Sequence, residues 1–592
     1  MKNTEIAKIL YEIGECLEMQ EVLFKPRAYE KAANAVESFE EDVSEIYRHG
    51  GLKALEEIPG VGVSIAEKIE ELITNGRCAY HEQLKKKTPV NLSELTAIEG
   101  VGPKMVLKLY KKLGVKNLND LERAARRGKI RALEGFGEKS EEHILKGIQF
   151  LRASGGRFVL GFVMPQIREI ERRLQNLKNV ERVVVAGSAR RKKETIGDVD
   201  MLVIARNPKS VMDYFASMPE VINVYAHGET KSAVKLKNGM DVDLRVVPHD
   251  SFGAALNYFT GSKAHNIALR EIAQKKGWKL NEYGLFKTKN QPSSRAQVEG
   301  KPKTKNGIQI AGKTEDELYK KLGMDYIEPE MREGWGEIQL AQKHSLPELI
   351  GYNDLRGDLQ VQTNWTDGAN TIEEMAREAI KLGMEYIAIT DHTKRLAMTG
   401  GLDEKKLLKQ MAYIDGVNSK SEFRNSKFRI LKGTECDILK DGTLDIRDDV
   451  LAKLDVVGVS VHSHFNLSRK DQTERIIRAM KNPHADIVFH PTGRLINRRQ
   501  PYEVDMEAII AAAKKTGTVL EIDAYPDRLD LKDEYIRKCV EAGVNMSIDS
   551  DAHSTAHFHY LEFGIAQARR GWASRSEVVN AWGTEQMLAR LK

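Results

Sequence analysis

The chain is poor in anything that would staple or anchor it. Its four cysteines, Cys16, Cys78, Cys436 and Cys539, lie far apart with no CxxC pair, which argues against a disulfide framework and a structural zinc site. No run approaches the roughly eighteen uninterrupted apolar residues of a membrane span. The opening Met1-Lys2-Asn3-Thr4-Glu5-Ile6 carries acid early and has no apolar signal core. Nor does the composition suit disorder: 41% of the 592 residues are hydrophobic and 30% charged, a soluble globular balance. At about 150 residues per domain this length predicts several domains. The expectation is a cytoplasmic, multi-domain enzyme with no membrane partner.

Charge is unevenly spread. The net charge of +6 divides into −7 for residues 1–100, +16 for 101–300 and −3 for 301–592. A basic block between mildly acidic ones is the footprint of a polyanion-binding middle, although a solvated basic surface would look the same.

Residues 1–150 read as short amphipathic helices separated by glycine-containing turns. Ile58-Pro59-Gly60-Val61-Gly62 runs into the helical stretch from Ser64, and Ile98-Glu99-Gly100-Val101-Gly102 runs into the one from Pro103. A weaker third copy is Leu133-Glu134-Gly135-Phe136-Gly137. Such turns aim the free N–H groups of the next helix outward, where they can bind a phosphate without reading sequence. The repetition resembles the helix-hairpin-helix motifs of DNA-repair proteins and makes Gly60, Gly62, Gly100 and Gly102 candidate DNA-binding positions.

From Val180 the pattern turns to strands of one mixed sheet. Gly187-Ser188 closes an apolar strand, Arg190, Arg191, Lys192 and Lys193 follow, and Asp198-Val199-Asp200 comes next. The i, i+2 spacing places both carboxylates on one strand face. Held together they need a counter-charge, which divalent cations satisfy. Asp243, in Asp241-Val242-Asp243, supplies a third strand carboxylate. Ser188 can offer a hydroxyl and Gly187 a backbone N–H to phosphate oxygens, and Arg191 adds a fixed cationic fork.

This is the nucleotidyltransferase pattern. Tyr258-Phe259-Thr260-Gly261-Ser262, Asn266, Arg270 and Asn281-Glu282-Tyr283-Gly284-Leu285 after it resemble the family X DNA polymerases, the group of DNA polymerase beta. The resemblance covers residues 1 to about 325. It implies that Asp198, Asp200 and Asp243 hold two Mg²⁺ or Mn²⁺ ions for transfer to a primer 3′-OH. It implies that Ser188 and Arg191 hold the triphosphate, while Tyr258 and Phe259 face the sugar beside Gly261. Asn266 would contact the nucleotide and Arg270 the template side. Lys68 matches the family's lyase nucleophile, and Lys25 and Tyr29 match phosphate-contact positions. A lysine lying on phosphate is an equal reading, since Glu67, Glu70 and Glu71 oppose the neutral amine that attack on an abasic sugar requires. The implied partners are gapped or primed duplex DNA and a dNTP, bound by a monomer.

Beyond residue 353, seven apolar strands alternate with helical patterns, near 358–362, 386–391, 428–436, 454–461, 486–490, 518–523 and 545–550. That alternation predicts parallel βα units closing like a barrel, whose carboxyl strand ends form a site. His392, Glu435, His462, His490, Asp551 and His553 all lie at or just past such ends, with Asp367 in the first connection. The order resembles a PHP (polymerase and histidinol phosphatase) domain, and implies that these seven residues hold a cluster of Mn²⁺ or Zn²⁺ ions for a phosphoesterase. The first PHP motif departs from its pattern: Gln360-Val361-Gln362 stands where His-x-His belongs. Amides are poorer, neutral ligands for transition metals, so a retained fold with weakened or absent 3′–5′ exonuclease activity is expected.

The expected architecture is a helical helix-hairpin-helix region, an α+β nucleotidyltransferase palm with thumb, and a distorted (β/α)7 PHP barrel. The expected boundaries are 1–80 for the hairpin and lyase-like domain, 81–155 for a fingers-like helical domain, 156–250 for the palm and 251–327 for the nucleotide-selecting thumb. A linker over 328–352 and the PHP domain over 353–592 complete the chain, and 287–306 reads as a polar loop. Two other readings stay open, a DNA phosphoesterase centred on the PHP domain and a non-catalytic DNA-end-binding scaffold.

Overall fold

The computed structural model describes all residues except 2, 21, 23, 40, 41, 59, 88, 97, 99, 100, 134, 154, 155, 288–306, 397, 398, 425, 426 and 592. Gly100 and nearly all of the 287–306 loop therefore lie outside the described residues. The chain divides into two compact units. The first comprises residues 1–155, 351–565 and 575–592, the second 156–350 and 566–574.

The N-terminal part of the first unit is helical throughout. Asn3–Met19, Lys25–Ser38, Val43–Glu56, Val63–Asn75 and Ala79–Lys87 are followed by Leu92–Thr96, Pro103–Leu113, Leu118–Arg126 and Glu138–Ala153. Their apolar stripes meet in one core that includes Ile6, Leu10, Ile13, Ile65, Ile69, Leu72, Val106 and Leu109. The two glycines of the first hairpin have different reasons for being there. Gly60 sits at φ 80°, where a side chain would strain the turn. Gly62 caps the Val63–Asn75 helix in extended conformation, with open space where a Cβ would lie.

The C-terminal part of this unit is a barrel of seven parallel strands in sequence order. They are Gly357–Val361, Tyr386–Ile389, Arg429–Asp437, Val456–Ser460, Ile487–Val488, Val519–Asp523 and Met546–Asp549. A parallel bridge between Val361 and Ala552 joins the first strand to the residues after the last, nearly closing the ring. Every residue of the first strand is buried, as parallel strands covered on both faces require.

The second unit is built on a five-stranded mixed sheet, ordered Val180–Val185, Asp198–Ala205, Asp241–Val246, Lys231–Leu236 and Val221–His227. Asp198–Ala205 and Asp241–Val246 are its parallel pair. Helices Phe252–Thr260 and Lys263–Lys275 and a three-stranded sheet of Trp278–Asn281, Gly284–Lys287 and Ile308–Ala311 complete the thumb-like part. The 328–352 segment differs from the expected linker. It folds as a 3-10 turn, Pro329–Met331, and a short helix, Glu337–Gln342, whose Met331, Ile338 and Ala341 are buried in the core of this unit. Its Gly and Pro content suggested a spacer, but the apolar residues at irregular intervals each find a neighbour.

Candidate functional sites

The polymerase-type site is assembled by register. Asp198 pairs with Asp241 and Asp200 with Asp243 across the parallel strands, so Asp200 and Asp243 lie side by side. The strand ending at Val185 turns into Gly187–Arg190 through a glycine at φ 64°. A Cβ on Gly187 would stand 2.9 Å from Asp200 Oδ2, so only glycine lets this turn approach the carboxylate. Burial, reinforced by the charges of Asp198 and Asp243, pushes the Asp200 carboxyl up to about 6. Lys231 Nζ, 3.4 Å from Asp243, offsets part of the negative charge. Carboxylate oxygens are the donors that hard divalent cations take.

Around the triad, several basic residues are already engaged. Arg191 Nε lies 2.9 Å from Glu333 Oε1 and its guanidinium also donates to the Thr260 carbonyl. Glu333 also approaches Lys193 at 3.6 Å. Arg190 turns inward, a fork onto Glu315 at 3.0 and 2.6 Å that also donates to Thr260 Oγ1 at 2.8 Å. Tyr258 and Phe259 end the Phe252–Thr260 helix, edge to face at 5.1 Å, with the Arg245 guanidinium 4.7 Å from the Phe259 ring. Gly261 caps that helix at φ 69°. Asn266 donates to the Tyr258 carbonyl at 2.7 Å, and Arg270 Nε to the Asn266 carbonyl at 3.2 Å. Ser188 sits half-buried in the turn. The expected nucleotide residues are thus in one neighbourhood. Glu333 and Glu315 carried no local signal toward Arg191 and Arg190, which lie more than a hundred residues before them.

In the first hairpin, Lys68 Nζ donates to the Ser64 carbonyl at 2.7 Å and its hydroxyl at 3.0 Å, and lies 5.1 Å from the centroid of the Tyr80 ring. Glu67, Glu71, Ala79, Tyr80 and Gln83 complete the cleft around it. Glu70 accepts from the Tyr47 hydroxyl and Glu71 from the Ala79 N–H, so both of these glutamates, expected to oppose Lys68, have other partners. Lys25 is exposed at the start of its helix. Tyr29, expected at a phosphate contact, is a 5% exposed residue of the helical core. Gly102 caps Pro103–Leu113 as Gly62 caps the earlier helix.

The barrel mouth gathers the histidines as the strand ends predicted. Asp367, His392 and His553 form one group able to hold a cation, and His392, Glu435 and His462 another. Asp367 Oδ2 is 3.6 Å from His392 and 3.7 Å from His553. Glu435, fully buried, is the hub. It lies 3.0 Å from His462 Nε2, 2.9 Å from His490 Nε2 and 3.4 Å from His392 Nδ1. Both glutamines also serve it, donating to Oε2 at 3.2 Å from Gln360 and 2.9 Å from Gln362. Burial works against charge on His462, yet Glu435 and Asp437 hold its imidazolium up to about 9, and Asp551 and Asp367 similarly hold His553 up to about 10. A cation bound by these imidazoles and carboxylates would have to displace such protons. His490, at φ 31°, and Asp551, at φ 50°, adopt backbone that non-glycine residues seldom do, the strain expected where side chains are aimed. Asp551 stands in neither cation-sized group. It faces Arg528, at 3.4 Å, a residue that sequence reasoning did not single out.

The chain matches family descriptions in four places: the helix-hairpin-helix domain over residues 1–78, the SAM-like helix-hairpin-helix tandem over 92–149, the DNA polymerase beta thumb over 255–333 and the PHP domain over 358–557. It is 38% identical over 595 aligned residues, 100% of each chain, to the DNA polymerase/3′-5′ exonuclease PolX of Bacillus subtilis. It is 27% identical to DNA polymerase lambda of Rattus norvegicus over 56% of each chain. Over 36% of this chain and 84% of that one, it is 33% identical to a probable phosphatase of Thermoanaerobacter sp.. With polymerase, hairpin and PHP segments matched in order and a relative aligned from end to end, the chain belongs to the family X DNA polymerases that carry a C-terminal PHP domain.

Proposed function

We propose that this protein is a DNA-directed DNA polymerase that fills gaps in duplex DNA, and that its PHP domain is a metal-dependent phosphoesterase of reduced 3′–5′ exonuclease activity. The carrying observation is the placement of Asp198, Asp200 and Asp243 on paired parallel strands against the Gly187 turn. Those three carboxylates would hold two Mg²⁺ or Mn²⁺ ions, which supply charge stabilisation at the transferring phosphate and ease loss of the primer hydroxyl proton. Ser188 and Arg191 receive the triphosphate, with Glu333 giving way to phosphate oxygens on Arg191, a planar fork suited to either acceptor. Tyr258 and Phe259, stiffened by Arg245 and by Asn266, wall the sugar, and Arg270 meets the template side.

Gapped or primed DNA and a dNTP are the partners of this reading, with Lys25 and the caps at Gly62 and Gly102 on the backbone phosphates. Among the described residues no helix is long and apolar enough to cross a membrane, and we place the protein in the cytoplasm as a monomer. The test is a one-nucleotide gap with labelled primer and Mg²⁺ or Mn²⁺. Templated addition of the single matched dNTP is expected, and no addition would sink the reading.

The PHP domain is expected to shorten a primer slowly in the absence of dNTPs. Restoring imidazoles with Gln360→His/Gln362→His should raise primer shortening by about ten- to a hundredfold. Equal rates in parent and variant would show that the glutamines are not what limits it. For the lyase reading, borohydride trapping on a 5′-incised abasic duplex should give a covalent adduct in the parent and none in Lys68→Ala. An undiminished adduct in the variant would move the nucleophile elsewhere.

A further inference from the structure

Residues 566–574 come after the last barrel strand in the chain, yet they fold with the second unit. Their attachments there are specific. Arg569 Nε donates to Glu330 Oε1 and its Nη1 to the Ile350 carbonyl, both at 2.9 Å. Trp572 is buried in the core of this unit, and the Ala573 carbonyl accepts from the Ile350 N–H at 3.0 Å. Arg570, 1% exposed, goes further, to the turn that follows Gly187. Its guanidinium donates to the Lys192 carbonyl and to Gln567 Oε1. Gln567, fully buried, donates in turn to Glu194 Oε1 at 2.8 Å. Arginine only donates and a carboxylate only accepts, so this order of bonds fixes the amide between them. The same Glu194 oxygen lies 3.7 Å from Arg570 and supplies the counter-charge that a buried guanidinium requires.

The carbonyl that Arg570 holds belongs to a strained residue. Lys192 sits at φ 52°, backbone that a side chain other than glycine adopts only where its surroundings enforce it. Around it the Lys192 N–H donates to the Ala189 carbonyl at 3.1 Å and the Lys193 N–H to the Ser188 carbonyl at 3.0 Å. The turn closed by these bonds carries Ser188 and Arg191. We propose that Arg570, oriented by Gln567, is a positioning residue for nucleotide binding: it fixes the Lys192 turn and thereby sets where Ser188 and Arg191 stand to receive a triphosphate. The C-terminal segment 566–574 is then a working part of the polymerase module, although more than two hundred residues separate it from Ile350. The inference rests on the reading of Ser188 and Arg191 as the triphosphate residues.

The test is gap filling by the full-length protein with Mg²⁺ over a range of dNTP concentrations. Arg570→Met keeps the apolar stem and removes the donors. It is expected to raise KM for the dNTP by about tenfold or more with kcat within about threefold, the signature of lost binding by a displaced turn, and to leave the Kd for gapped DNA unchanged. Arg569→Met, which breaks the neighbouring pair with Glu330, is the control for mere loosening of the segment: a lower melting temperature and a KM within about twofold of the parent are expected. A KM within twofold of the parent in Arg570→Met would overturn the proposal, and so would an equal rise in Arg569→Met. If Arg570→Met does not fold, Gln567→Leu decides, since it removes the group that orients Arg570; a rise in KM of about threefold or more is expected, and an unchanged KM would overturn the proposal. Arg191→Gln checks the underlying reading. An unchanged KM there would mean that the turn does not receive the triphosphate, a failure of that reading and not of the hold of Arg570 on Lys192.

Discussion

Asp200→Asn is expected to lower templated extension by on the order of 10³-fold, about 4 kcal/mol of lost transition-state stabilisation, in line with the several kcal/mol a catalytic metal supplies. Asparagine keeps the volume and the β-strand, so the close packing against Gly187 survives. What it removes is the charge flanked by Asp198 and Asp243. The same substitution should not destabilise the protein without metal. A carboxyl pushed up to about 6 from an ordinary 3.8 favours folding when protonated, so the parent loses stability as pH rises through 6. The neutral amide carries no such cost. The variant is therefore expected to melt at the same or a higher temperature than the parent above pH 6, with the difference vanishing near pH 4. Extension within tenfold of the parent would remove Asp200 from the catalytic group, and a large loss of melting temperature at neutral pH would make it a structural residue.

Glu315→Gln should be among the most destabilising single changes in the second unit, at about 3–5 kcal/mol. Glu315 is 5% exposed. It receives the Arg190 fork, Arg332 Nη1 at 2.5 Å and the Tyr326 hydroxyl at 3.2 Å. Arg332 is fully buried, 5.3 Å from the ring centroids of both Tyr319 and Tyr326. Removing one carboxylate strands two guanidiniums in the interior, and solvent cannot reach Arg332 to compensate. Burial raises the Glu315 carboxyl, but the two arginines outweigh it and hold it down at about 2. The ion-pair stabilisation is therefore complete above about 4.5 and lost as pH falls toward 2, so the gap between parent and variant should narrow over that window. Urea unfolding at pH 7.5 and at pH 4 measures it. A cost below about 1 kcal/mol at pH 7.5 would show that the arginines find other partners. Because Arg190 also donates to Thr260, at the end of the helix bearing Tyr258 and Phe259, extension should fall as well.

What was legible in the sequence is what short-range geometry dictates. Two aspartates at i, i+2 share a strand face whatever surrounds them, and Asp198 and Asp200 do. Seven apolar strands separated by helices can pair in parallel only in a closed or layered sheet, and strand-terminal His392, Glu435 and His462 then converge. A glycine pair before an amphipathic helix makes the same cap at Gly62 and Gly102. A motif match fixes the position of Tyr29 along its helix and not how far it is buried. The 328–352 segment misled because composition does not register where single apolar residues will dock.

Tertiary structure alone decided which charges meet. Arg191 with Glu333, Glu315 with Arg190 and Arg332, and Arg528 with Asp523 and Asp551 join elements whose sequence separation carries no periodic signal. The chain by itself determined that this is a carboxylate-bearing palm followed by a histidine-lined barrel, since those patterns are local. Which carboxylates are paired with an arginine depends on which side chains the fold brings within about 4 Å, where Coulomb attraction and hydrogen bonds offset part of the cost of burying charge.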